Sequence, residues 1–336
     1  MTMLAKSGTT SHAVVAPGSD GASGRAVNPR KLVALVVGVG ILLGAMITAF
    51  ALPAARSAPH HIPIAVVGSE AQSAQVGRQL PGFDVTAYPS VGAARTAIEH
   101  RDVYAAITVT GHDVTTTVAS AASPTVATTV TGIGQKLAGA TGKAAHNDDI
   151  RSFPAKDPKG TGLAAGALPL ALGGWIGAMV IMLLLRGSGE RLLAAAGVAV
   201  IGGLSAVAVL RFLVGTFDHG YWTTAGAGML GIGATSMMVL GLRELFGSKG
   251  LAVAAVLLIF LGNPLSGLSS APEMLPTPWG RIGQLLPPGA TGSLLRDMSF
   301  FDGNAITGPI IVLACWLLGG LALYGIGARR AAATAG

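Results

Sequence analysis

The side chains able to do chemistry in this 336-residue sequence are few: seven histidines, one cysteine and 15 acids. His60-His61 and the cluster from His146 to Asp149 are the two places with any density of metal-binding groups. Neither offers the three or four convergent ligands that a zinc site needs, so solvated histidines are expected. Ser, His and Asp occur together between residues 56 and 160, but no G-x-S-x-G sequence marks a nucleophile. A phosphate-binding loop would need G-x-x-x-x-G-K-[ST]. At Gly142-Lys143, Leu137 stands where the first Gly belongs and Ala144 where the hydroxyl belongs. The sequence therefore predicts no catalytic, cofactor or metal site, and no ATP hydrolysis by this chain. Cys315 is the single cysteine and lies in an apolar run, so no intramolecular disulfide can form.

Composition says where so little polar chemistry belongs. Hydrophobic residues make up 51% and charged residues 11%, against roughly 25% charged in soluble domains. Mean hydropathy is +0.62. These values exclude an ordinary soluble enzyme, a disordered chain and a nucleic-acid-binding domain. They predict a polytopic α-helical membrane protein.

Crossing a bilayer takes about 20 apolar residues. Five or six stretches qualify: residues 32–53, 162–185, 192–217, 222–242, 251–268 (interrupted by Asn263-Pro264) and 307–327, and six spans are expected. The first is too long for a signal h-region of about 7–15 residues, so an uncleaved anchor over 31–53 is expected. With the N-terminus inside, ten Lys/Arg and three Asp/Glu fall on the cytoplasmic side, which carries the whole net charge of +7. The basicity reads as a topology signal: a multi-pass plasma-membrane protein with both termini cytoplasmic and no nucleic-acid partner.

Residues 1–30 are Gly/Ser/Thr/Ala-rich without periodicity and read as a disordered cytoplasmic tail. Residues 56–160 form the one polar region of domain size. Strands are expected at 62–67, 83–87, 103–109 and 113–118, and helices at 69–80, 90–100 and from Ser123 towards Ala145. That order predicts a small extracellular α/β domain between the first two spans. Residues 162–330 would be a five-helix membrane domain. Within it, residues 264–303 are too apolar and Pro-rich for a plain loop, and read as an outer re-entrant hairpin.

Arg211 is the one charge well inside a span, expected to snorkel outward with Asp218 two turns on helping to hold it. Arg243-Glu244 is expected at the inner interface. Small residues at spacing four (Gly173 and Gly177; Ala227, Gly231 and Thr235) predict close helix packing within one subunit.

One anchor, an outer α/β domain and five further spans resemble the permease of type-2 ABC exporters, nearest to the phage-infection-protein-like (Pip) membrane proteins. Three stretches carry the resemblance: Ala93-Ala94-Arg95 through Val103 to Val109; Asp157-Pro158-Lys159-Gly160; and Asn263-Pro264-Leu265-Ser266-Gly267 followed by Glu273 to Pro276, Trp279 and Leu286 to Ala290. The resemblance implies export of a hydrophobic or amphiphilic substrate, a homodimer or pairing with a related permease, and a separate ATP-binding-cassette ATPase. In this reading Asn263, Pro264, Trp279, Pro287 and Pro288 form an outer gate. Arg186, Glu190, Arg191, Arg243 and Glu244 would dock the ATPase, although the Arg186–Arg191 loop is short for that task. The alternative is a non-transporting envelope protein whose outer domain binds a ligand or partner.

Overall fold

The computed structural model describes residues 28–268 and 270–335. Most of the expected N-terminal tail, residues 1–27, lies outside the described residues. Helix α1 (Pro29–Ala55) is apolar along its length. None of its most apolar stretch, Pro29–Leu52, is buried inside the chain, and Leu35, Val36, Ile41 and Ile47 are all exposed. At 1.5 Å per residue those 24 residues outreach a hydrocarbon core of about 30 Å.

Residues 62–149 build a five-stranded sheet of order β2-β1-β3-β4-β5. Its strands are β1 (Ile62–Val67), β2 (Phe83–Tyr88), β3 (Ala105–Val109), β4 (Asp113–Val118) and β5 (Ala144–Asp149). β1 runs parallel to β2 and β3, β3 and β4 form an antiparallel hairpin, and β4 runs parallel to β5. The parallel pairs β1/β2 and β4/β5 are connected through helices α2 (Glu70–Gln79) and α4 (Pro124–Thr141), while α3 (Val91–Glu99) leads from β2 to β3. Each helix begins at a serine, Ser69, Ser90 or Ser123, whose hydroxyl accepts a backbone N–H of the first turn. Gln72 completes a capping box on Ser69. Ile62, Ile64, Ile98, Ile107, Val114 and Val130 fill the centre and are fully buried.

The strand β5 corrects the sequence reading, which ran α4 on towards Ala145. The helix stops because Gly142 takes a left-handed conformation, φ 63°. The following Ala-Ala-His-Asn-Asp-Asp has little strand propensity, and pairing with β4 over six residues imposes the extended form on it.

The helical base contains α5 (Thr161–Leu184), α6 (Ser188–Ala208) extended by a π turn (Val209–Val214), α7 (Tyr221–Ala255) extended by a second π turn (Val256–Leu261), and α10 (Thr307–Ala335). α7 is the hub, packing on α5, α6, α10 and the later helix α9 (Pro287–Phe300). Small residues allow this: a Cβ on Gly174 would strike Thr235 at 2.7 Å, and one on Gly231 would strike Thr291 at 2.3 Å. Among the described residues four helices are long and apolar enough to cross a membrane: Pro29–Leu52, Ser188–Val214, Tyr221–Leu261 and Thr307–Thr334; a shorter apolar helix is Leu172–Leu184.

The fourth expected span and residues 251–261 of the fifth fall inside Tyr221–Leu261. The backbone there is non-helical at Gly247, φ 65° and ψ −139°. A Cβ on Gly250 would sit 1.9 Å from the Leu242 carbonyl oxygen, so the chain folds tightly back on the end of the preceding helix. The segment after this bend ends at Leu261, and residues 262–265 form turns. It does not run on as a helix to residue 268. Short elements follow: a 3₁₀ turn (Pro272–Met274), α8 (Trp279–Gln284) and α9 (Pro287–Phe300).

Candidate functional site

Residues 262–268 and 270–304 are held between the sheet domain and the helical base. On the sheet side, the chain entering β1 runs beside the 3₁₀ turn: Ala58 N–H donates to Met274 O at 3.0 Å and His60 N–H to Glu273 O at 2.9 Å. Tyr104, at the start of β3, donates its hydroxyl to Glu273 Oε2 at 2.7 Å. Arg151 pairs with Glu99 at 3.4 Å and Asp302 at 2.9 Å. Asn304 donates to the Glu99 carbonyl at 3.3 Å. Phe153 meets Phe300 edge-on, with centroids 5.1 Å apart, and Phe217 from the helical base lies 6.0 Å from the same ring.

At the centre is a buried charge cluster. Arg101 follows α3 with φ 62°, a left-handed conformation that L residues rarely adopt. Its guanidinium pairs with Asp297 Oδ1 of α9 at 2.5 Å and lies 5.5 Å from the Phe301 ring centroid. Arg296, next in chain to Asp297, is 3% exposed and donates to the Leu268 carbonyl at 3.1 Å. Arg296 Nε and Asp297 Oδ2 are buried without a hydrogen-bond partner among the described residues. Burial works against the Arg101 charge, but the Asp297 carboxylate, paired with it and backed by Glu273, outweighs burial and raises its pKa. Burial, and then the Glu273 carboxylate, push the Tyr104 hydroxyl well above its ordinary value. Tyr104 therefore stays a neutral donor.

Two depressions flank this junction. A polar cleft of about 690 Å³ lies between the sheet edge, with His60, His61 and Asp84, and the hairpin, with Glu273, Arg281 and Gln284. An apolar groove of about 290 Å³ lies beside Pro264 and Trp279.

The expected gate residues separate into two settings. Pro264 and Trp279 line the apolar groove, with Trp279 47% exposed. Pro287 and Pro288 are buried at the start of α9, where a Cβ on Gly262 would meet Pro288 at 2.8 Å. Asn263 is half-buried, and its carbonyl accepts from Ser266 N–H at 3.2 Å and Ser266 Oγ at 2.7 Å. Gln284 ties the turn to α9 by donating to Ser266 O and accepting from Ser293 Oγ.

The expected docking residues also divide. Arg191 Nη1 pairs with Glu244 Oε2 at 2.9 Å, and its Nε donates to Leu185 O at 3.0 Å. This locks α6 to α7. Arg186, Glu190 and Arg243 are exposed. Arg211 sits in the π turn with Nη1 buried and unpartnered among the described residues, its guanidinium 5.7 Å from the Phe212 ring centroid. Asp218 pairs instead with His219 at 2.7 Å, which corrects the expected Arg211–Asp218 support. The adjacent imidazole competes at no cost in chain geometry.

Sequence reasoning also missed Arg101, Tyr104, Glu273, Arg296 and Asp297. Arg296, Asp297 and Glu273 fall in the stretch expected as an outer re-entrant hairpin, where the sequence assigns their charges no partners. One signal was present: Arg296-Asp297 is a charged dipeptide between Leu294-Leu295 and Met298, where a solvated loop has no reason to be apolar.

No family model matches this chain, and no curated protein or solved structure matches it either.

Proposed function

We propose that this chain is the membrane permease subunit of an exporter, moving a hydrophobic or amphiphilic substrate outward, with ATP hydrolysed by a separate ATP-binding-cassette subunit. In this reading the chain makes six passes of the plasma membrane, Gly247 dividing the fourth from the fifth. The sheet domain is extracellular, and two permease copies assemble. The observation that supports it is the interrupted helix ending at Leu261 and the hairpin after it, gripped from outside through Arg101–Asp297 and Tyr104–Glu273. About 14 helical residues between Gly247 and the break cover roughly 21 Å, short of the core thickness of about 30 Å. Irregular backbone at that depth belongs where protein or a water-filled path covers it. Movement of the sheet domain would be transmitted to the hairpin through the buried pairs.

Affinity purification in mild detergent tests this. An ATPase subunit should copurify, and the two together in vesicles should move a fluorescent amphiphile on ATP addition. The second reading, an envelope protein that binds a ligand without transporting it, draws on the polar cleft at His60, Asp84 and Arg281. Absence of any ATPase, with saturable ligand binding to the full chain, would favour it.

A further inference from the structure

The apolar groove carries a chemical signature of its own. Its lining comes from the last turns of α1 and the residue after it, Thr48, Ala49, Leu52 and Arg56, and from the interrupted span and hairpin, with Phe260, Leu261, Pro264, Leu265, Pro276 and Trp279. Arg56 is the only charged residue in this lining. Its side chain is exposed, and no ion pair to it occurs among the described residues. Arg56 immediately follows α1, where a span reaches the headgroup layer, and the half-exposed Trp279 is the residue type favoured at that depth. At about 290 Å³ the groove is at the small end of ligand sites, which run from about 300 to 1,000 Å³. That volume suits one acyl chain.

We infer that this groove binds an acidic amphiphile, its single hydrocarbon chain laid between Leu52 and Pro264 and its anionic head on Arg56. Because Pro264 lies in the turn that ends the interrupted span and Trp279 begins α8 of the hairpin after it, the occupant lies against the element that must rearrange for export. This inference rests on the export reading and names its substrate class. Apolar walls give affinity without chain-length precision, and the one cation discriminates acidic from neutral heads.

A photoactivatable diazirine fatty acid and its neutral monoacylglycerol counterpart test it on the full chain in mild detergent, with insertion sites mapped by mass spectrometry. The acidic probe should label residues 48–56 and 260–279 several-fold more than the neutral one. Arg56→Gln should erase that preference, and Ala49→Trp, which fills the groove, should lower labelling by both. Equal labelling by the two probes, or acidic labelling that Arg56→Gln leaves unchanged, would overturn the inference. Vesicles containing the ATPase separate the two readings. Groove labelling without outward movement of the acidic probe leaves the site standing and removes the export reading. Export of another amphiphile without groove labelling removes this inference alone.

Discussion

Arg101 and Asp297, 196 residues apart in the chain, form an ion pair whose side chains are 14% and 1% exposed. The pair joins the end of α3 in the sheet domain to the last turn of α9 in the hairpin. Arg296, next in the chain, makes no ion pair with Asp297 among the described residues, but its buried charge is close enough to favour the Asp297 carboxylate. Removing one member of a buried pair typically costs about 3–5 kcal/mol, because the remaining charge is left uncompensated. The two partners should not be equivalent. Asp297→Asn strands both Arg101 and Arg296 and should show the full loss. Arg101→Met leaves Asp297 beside Arg296 and should cost less. Thermal unfolding of the full chain in detergent checks the order, and a larger loss for Arg101→Met would contradict this account of the cluster.

The Arg191–Glu244 pair predicts a split within the expected docking residues. Glu244→Lys would set two cations together between α6 and α7 and should lower the unfolding midpoint. Glu190→Lys, at an exposed site, should leave folding within about 0.5 kcal/mol of wild type. If Glu190 and Arg243 touch an ATPase, Glu190→Lys should abolish copurification from a folded permease. Unchanged copurification would place docking elsewhere.

Asp157 is 5% exposed and serves as the side-chain cap that Gly160 cannot supply to α5. It accepts from Thr161 N–H at 2.9 Å, Thr161 Oγ1 at 3.0 Å, Gly162 N–H at 2.8 Å and Thr216 Oγ1 at 2.8 Å. Burial opposes its charge, but these bonds prevail and lower its pKa. A lowered folded value means that its stabilisation is fully present above the unfolded pKa of about 3.9. The stabilisation fades as pH falls through the folded value. Asp157→Asn should therefore destabilise the protein at neutral pH and flatten its acid dependence below about pH 4. An acid limb identical to wild type would show that Asp157 is not the group responsible.

The turn after Leu261 gives the gate its test. Asn263→Leu with Pro264→Ala restores helix-forming residues at the break and should preserve assembly. Outward movement of substrate should fall by an order of magnitude or more, about 1.4 kcal/mol per tenfold in the barrier. Normal export by the folded double variant would leave the break as a static feature of packing.

Topology can be read directly. Reporter fusions after Gly160 and Gly303 should report outside, and those after Gly189 and Gly336 inside. An outside signal at Gly336 would overturn the six-pass arrangement.

What the sequence determined alone was local or compositional. The strands Ile62–Val67 and Asp113–Val118 coincide with short β-rich runs closed by turn residues, and Ser69, Ser90 and Ser123 marked helix starts because a cap acts within three residues. The scarcity of charge required apolar surroundings for the helices whatever their packing. Tertiary structure decided everything that joins distant parts. Ala144–Asp149 became a strand only because β4 offered it a partner along its whole length. Gly247 reads as an ordinary loop glycine until the chain folds back there and brings Gly250 against Leu242. Apart from their apolar flanks, nothing local marks Arg296 and Asp297 as buried, because burial is a property of neighbours, and theirs, Leu268 and Arg101, lie 28 and 196 residues away. The candidate site was half legible for the same reason. Proline at 264 announces an interrupted helix from its own missing N–H. The Arg101–Asp297 and Tyr104–Glu273 grip exists only after two remote segments meet, where a charge can be kept from water because its counter-charge arrives with it.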